Sequence, residues 1–187
     1  MNLVFLLSAC GSNSPQDAAQ PVEISPATRT NFATATAAMK AQQWSEAEAQ
    51  FKQLVQAQPN LSGAYLNLAL IYAQTHRAAD AETQFKKALE VNPENWSARD
   101  QYGIWLRTQG RFKEAETIYL QTLQRQPERA DTHLNLGILY DLYFGKSAQA
   151  LEHYQQYLTL KGDSADAEVG RVKNWVADLQ RRNKAGG

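Results

Sequence analysis

The chain repeats itself every 34 residues. Ala47, Ala81 and Ala115 stand at that interval, as do Phe51, Phe85 and Tyr119, and Pro59, Pro93 and Pro127. Upstream in each unit the interval links Leu68, Tyr102 and Leu136, then Ala69, Gly103 and Gly137, then Tyr72, Leu106 and Tyr140. Self-similarity at this fixed period confines a chain to stacked supersecondary units, each built from the same short motif.

The stretch Ser62 to Asn95 shows how one unit works. Leu68, Ala69 and Tyr72 fall on one face of a first helix, and Ala81, Phe85 and Ala88 or Leu89 on one face of a second. The small residue at 69, 103 or 137 and the Ala at 47, 81 or 115 let two helices approach. The ring four residues after each of these alanines fills the remaining gap. The proline that follows cannot continue the helix and forces a turn to the next unit. One such pair cannot bury its apolar face alone, so copies must stack.

On these registers the chain resembles the tetratricopeptide repeat (TPR) family, whose unit is a 34-residue helix–turn–helix with small, aromatic and proline positions at these offsets. The resemblance covers about Thr28 to Gly162. It implies an all-α fold, a right-handed α-solenoid of about four units at 28–61, 62–95, 96–129 and 130–162, closed by a capping helix over 163–184. The first helix of unit one fits least well, with Thr34, Ala35 and Ala38 where larger core residues belong. An atypical terminal unit is expected where one face meets solvent, so Phe32 and Met39 are read as cap contacts, with exposed binding residues as the alternative. In unit three Gly110 supplies the left-handed residue of the inter-helix turn. In unit four Ala150, Tyr154 and Tyr157 fall one place late and the closing proline is missing. A longer turn near Phe144-Gly145 is therefore expected, with Lys161-Gly162-Asp163 ending the unit. Val169, Val172, Val176 and Leu179 give the last helix its apolar stripe, with Trp175 beside it and Arg171, Lys173, Arg181 and Arg182 opposite.

The N-terminus, MNLVFLLSAC, ends in Leu7-Ser8-Ala9-Cys10 followed by Gly11. This resembles the lipobox of bacterial lipoproteins. The resemblance implies cleavage before Cys10, acylation of that residue, and an outer-membrane anchor facing the periplasm. Residues 11–27 are polar, carry three prolines and read as a flexible tether reaching at most roughly 60 Å. A secretory signal normally opens with a positive charge and carries roughly 7–15 apolar residues. No Lys or Arg precedes Cys10 and the apolar run is only Leu3 to Leu7, so a cytoplasmic adaptor without a lipid anchor stands as the alternative.

Nineteen basic and nineteen acidic residues balance. With no basic run, nothing in the sequence calls for nucleic acid. The three histidines, His76, His133 and His153, form no i, i+4 pair and meet no Cys or carboxylate at metal-ligand spacing. The acid pair Glu46 and Glu48 is assigned to a solvated helix face. No enzyme, metal or cofactor is expected.

Function is then expected from shape. The resemblance implies that the first helix of each unit lines a concave face through the second, fifth, sixth, ninth, twelfth and thirteenth places. These give Leu66, Asn67, Leu70 and Gln74 in unit two and Asp100, Gln101, Ile104 and Arg107 in unit three. Unit four gives Leu134, Asn135, Ile138, Asp141 and Leu142. The expected partner is another protein, bound as an extended peptide or a helix. For Leu66, Leu70, Leu134 and Ile138, packing between neighbouring helices is an equal alternative. A carboxylate clamp of the co-chaperone kind is not expected. Asn67 matches one of its places, but Phe32, Thr36, Ser97 and Gln101 occupy the others.

Overall fold

The computed structural model describes residues 24–162 and 164–185. Cys10 and most of the expected tether lie outside them. Among the described residues the chain forms nine helices and no strand: α1 Pro26–Lys40, α2 Trp44–Ala57, α3 Ser62–Gln74, α4 Ala78–Val91, α5 Trp96–Thr108, α6 Phe112–Arg125, α7 Ala130–Leu142, α8 Ser147–Lys161 and α9 Ala167–Ala185. Consecutive helices pack as antiparallel pairs. The odd-numbered helices also touch in series, α1 on α3, α3 on α5 and α5 on α7, so they form one continuous inner layer of an α-solenoid.

The local chemistry explains the boundaries. Ser25 caps α1, its Oγ accepting from the Thr28 amide at 3.1 Å, and Pro26 sits in the first turn where a missing N–H costs nothing. The helix therefore claims Pro26 and Ala27, two residues read from sequence as tether. Asn95 caps α5 in the same way. Pro59, Pro93 and Pro127 each stand two residues beyond the end of α2, α4 and α6. Every turn within a pair contains one left-handed residue: Gln42 (φ 59°), His76 (φ 60°), Gly110 (φ 73°) and Gly145 (φ 62°). The turn from α7 to α8 spans 143–146, one residue longer than 41–43, 75–77 and 109–111. This is the site of the expected insertion. Gly162, also left-handed, ends α8 where the proline is missing.

The core follows the repeat. Ala47, Ala81, Ala115 and Ala150 are fully buried, as are the rings of Phe51, Phe85 and Tyr119; Tyr154 is 1 % exposed. Each large buried side chain contributes about 1.5–3 kcal/mol by leaving water. At the C-terminal end Val169, Val172 and Leu179 of α9 cover α8, and Trp175 packs on Tyr154 with centroids 5.5 Å apart. Arg182 reaches Asp141 at 3.4 Å and fastens α9 back to α7. At the N-terminal end Phe32 meets Phe51 edge-on at 5.4 Å, a cap contact. The outer face of α1 and α2 there is lined by Thr28, Asn31, Thr34, Gln50, Gln53 and Gln58. Leu54 and Ala57 complete that lining, and Thr34 stands where the following units bury Leu68, Tyr102 and Leu136.

Glu48 does not lie on a solvated face: its side chain is 18 % exposed and holds Arg77 at 2.9 Å, while Tyr72 Oη donates to it at 3.3 Å. The arrangement recurs one unit on, where Arg111 binds Glu82 at 2.7 Å and Tyr102 Oη donates to Glu82 at 3.2 Å. Glu116 and Lys146, 4.0 Å apart, hold the same places in the next unit. Each second helix thus grips the turn of the following unit. Glu46 is exposed as expected.

Candidate functional site

The inner layer leaves a trough, and its depth varies in a regular way with position in the unit. At the fifth place Leu66, Asp100 and Leu134 are all less than a tenth exposed, because this place points between adjacent inner helices. At the ninth place Leu70, Ile104 and Ile138 are half-buried; at the thirteenth Gln74, Thr108 and Leu142 are exposed. Side chains toward the C-terminal end of each inner helix therefore face the open trough.

The remaining expected site residues divide on the same basis. Asp100 is held by Arg129 at 2.6 Å and by the Thr132 hydroxyl, which donates at 2.6 Å. It ties α5 to the start of α7 and is buried between them. Asn135 is buried, whereas Asn67 is half-buried and donates to the Gly63 carbonyl of its own helix at 3.0 Å. Gln101 is half-buried beside Ile104. Arg107 lies 5.9 Å from the Tyr143 ring centroid, a cation–π contact. Asp141 is engaged by Arg182.

Leu70, Gln74, Gln101 and Ile104 come together around one hollow of about 390 Å³, open to the trough. Its other walls are Met39, Trp44, Ala73, Phe85, Trp105, Thr108 and Gln109. None of the lining residues is charged. The floor is aliphatic and indole, and the rim is three glutamine amides and a threonine hydroxyl. Met39, read from sequence as a cap contact, lines this hollow. Trp44, Trp105 and Gln109 were missed because they sit outside the inner places carried over by resemblance. Their common signal is proximity to the turn within a pair. Leu142 at 69 % and Tyr143 at 44 % exposure extend the apolar surface beyond it.

The hollow offers apolar walls and an uncharged amide rim. Apolar walls give affinity by excluding water, and the amide rim satisfies backbone groups of a bound segment at about 1 kcal/mol net per bond. Elsewhere the phenols of Tyr102 and Tyr140 are pushed up to about 12, mainly by burial. Among the described residues no group of three or more His, Cys, Asp or Glu converges as metal ligands would. No helix among them is long and apolar enough to cross a membrane.

A tetratricopeptide repeat profile matches residues 60–128 and 96–162, more than half of the chain. The chain belongs to the tetratricopeptide repeat family. As a TPR protein it is a scaffold for protein–protein contacts. Among solved structures it is similar to PilF of Pseudomonas aeruginosa, at 24% identity and a TM-score of 0.73 over 85% of this chain and 70% of that one. It is similar also to MamA of Desulfovibrio magneticus RS-1, at 17% identity and a TM-score of 0.67 over 87% and 88% of the two chains. YrrB, a TPR protein described as having an unusual peptide-binding site, aligns at 21% identity and a TM-score of 0.59 over 73% and 70%. These likenesses carry the fold. No curated protein sequence matches the chain.

Proposed function

We propose that this TPR protein is a lipid-anchored envelope scaffold whose trough captures a segment of another protein. The observation that carries the reading is the uncharged hollow at Leu70, Gln74, Gln101 and Ile104, roofless and floored by Trp44 and Trp105. A segment presenting one or two large apolar side chains fits it, with the glutamine rim meeting the segment's backbone. The description of YrrB as peptide-binding is consistent with a peptide in such a groove. The anchor rests on Leu7-Ser8-Ala9-Cys10. Two or more acyl chains on Cys10 would hold the protein stably on a membrane where a single chain would not. A scaffold so placed supports assembly of an envelope complex, of pilus, secretion or cell-wall type. The likeness to PilF agrees with the first of these.

Site-specific photocrosslinking tests the trough. A crosslinker at Ile104 is expected to give an adduct with a discrete partner, and one at the exposed outer position Thr83 is expected to give none. Equal adducts at both positions, or none at either, would overturn the trough assignment. Incorporation of labelled palmitate, compared between the wild type and Cys10→Ala, tests the anchor. An unlabelled wild type would favour the cytoplasmic adaptor.

A further inference from the structure

His133 on α7 and His153 on α8 meet Nδ1 to Nδ1 at 2.9 Å, and Nε2 of His133 lies 3.0 Å from the carbonyl oxygen of Pro127. A carbonyl only accepts, so Nε2 of His133 carries a hydrogen. The Nδ1 of a neutral His133 is then bare and accepts, and Nδ1 of His153 donates to it. This order leaves one free lone pair, on Nε2 of His153. The first added proton takes that place with both hydrogen bonds intact, and the charged donor strengthens the contact. A second added proton has only Nδ1 of His133 left. There it would set two N–H groups against each other across 2.9 Å.

The surroundings make the contact consequential. His133 is 9 % exposed, and the Tyr140 ring stacks on His153 with centroids 5.5 Å apart. Through Pro127 the pair also touches the turn between α6 and α7, so three elements meet at one imidazole. Of the charged groups on these elements, Glu116 of α6 pairs with Lys146, Arg129 with Asp100, and Asp131 of α7 with Lys161, while Arg125 at the end of α6 and Glu128 beside Pro127 are exposed. On α8, Glu152 favours the charged form of His153, but burial first and the neighbouring His133 second hold that imidazole below its ordinary value. Both larger effects oppose accumulation of protons at the pair.

We infer that the His133–His153 contact is a proton-counting latch, which keeps α7 and α8 closed with no added proton or one and releases them with two. Because α7 supplies Ile138 and Leu142 to the inner face, release would alter the last third of the trough as pH falls. The sign follows from linkage. Burial first and His133 second hold His153 below its ordinary value, so its contribution to stability is present above about pH 6.5 and is lost as pH falls through its lower folded value.

Imidazole nitrogen NMR and amide hydrogen exchange on the full chain, from pH 8 to pH 4, test the latch. The expected result is a first titration at Nε2 of His153 with exchange unchanged. A second step follows, at which exchange in α7 and α8 rises about tenfold or more relative to α3 and α4. In His153→Gln the side-chain amide donates to a bare Nδ1 and, flipped, accepts from a protonated one. Protection of α7 and α8 is therefore expected to lose its extra acid sensitivity. Two independent one-step titrations in the wild type, or acid-induced exchange in α7 and α8 that merely parallels α3 and α4, would overturn the proposal. The wild-type measurement decides the matter even if the variant does not fold.

Discussion

Gly103 and Tyr119 fit together only because the glycine has no side chain: a Cβ there would overlap the ring at Cε1 and stand 2.6 Å from Cζ. Gly137 bears the same relation to Tyr154, whose Cδ1 and Cε1 a Cβ would overlap. In the two preceding units the small place holds Ala35 or Ala69 and the ring is Phe51 or Phe85. The stack thus matches alanine with phenylalanine and glycine with tyrosine. Gly103→Ala is expected to cost about 1–3 kcal/mol by overpacking. The Tyr119 hydroxyl is buried without a partner, and burial pushes that phenol above its ordinary range. Tyr119→Phe alone is therefore expected to be neutral or mildly stabilising. Combined with Gly103→Ala it should recover part of the loss, because the ring regains room to slide. Urea denaturation of the four-member cycle reads the coupling.

The left-handed turn residues give a second prediction. Gln42 and His76 adopt φ near 60° with side chains that disfavour it, whereas Gly110 and Gly145 fill the equivalent places with no such strain. The left-handed form costs a non-glycine residue roughly 1–2 kcal/mol, partly offset by the greater freedom glycine loses on folding. Gln42→Gly and His76→Gly should each stabilise by about 0.5–1 kcal/mol. Gly110→Ala should destabilise by a similar amount, although nothing lies within 4 Å of its Cβ position. Gly170, equally open but inside α9, should respond in the opposite sense when changed to Ala. Thermal melts of the four variants check the set.

The gripping carboxylates set the acid limit. Hydrogen bonds from Arg111, then Lys86, lower Glu82 to about 2. Its folded value lies below its unfolded one, so its contribution is complete above about pH 4.5 and is lost as pH falls through about 2. Glu82→Gln is expected to cost only about 0.5–1 kcal/mol at pH 7, since the pair is partly solvated. It should also flatten the stability profile between those two pH values. Chemical denaturation at stepped pH measures this, well below the window in which the histidine pair acts.

The repeat was legible in sequence because it is written in side-chain size at a fixed interval. Phe51, Phe85 and Tyr119 announce their pockets whatever surrounds them. Burial within the trough was not legible in that way. Leu66 and Leu70 are the same residue type on one helix, yet only Leu66 is closed over, because depth depends on how tightly neighbouring inner helices approach. The hollow's Trp44 and Trp105 come from different units and are joined only by stacking. His133 and His153 lie 20 residues apart on different helices, so no local spacing reveals their contact. Asp100 reads as a groove charge until Arg129 and Thr132 are placed beside it.

Asp100 and Gln101 are adjacent in sequence and divide stability from binding. Asp100 is 6 % exposed and accepts from two groups, so Asp100→Ala strands Arg129, whose guanidinium keeps no other acidic partner within 4.0 Å among the described residues. Breaking a buried pair from one side typically costs about 3–5 kcal/mol, and the partial exposure of Arg129 places the expected loss near the lower end. Gln101 lines the hollow and spans no two helices by hydrogen bonds. Gln101→Arg should therefore leave the melting transition within about 0.5 kcal/mol of wild type, while a charge in an uncharged hollow abolishes the Ile104 crosslink. Denaturation and crosslinking, run on both variants, separate the two roles. Equal loss of stability in both variants would show that the hollow is part of the fold's structural core and not a docking surface.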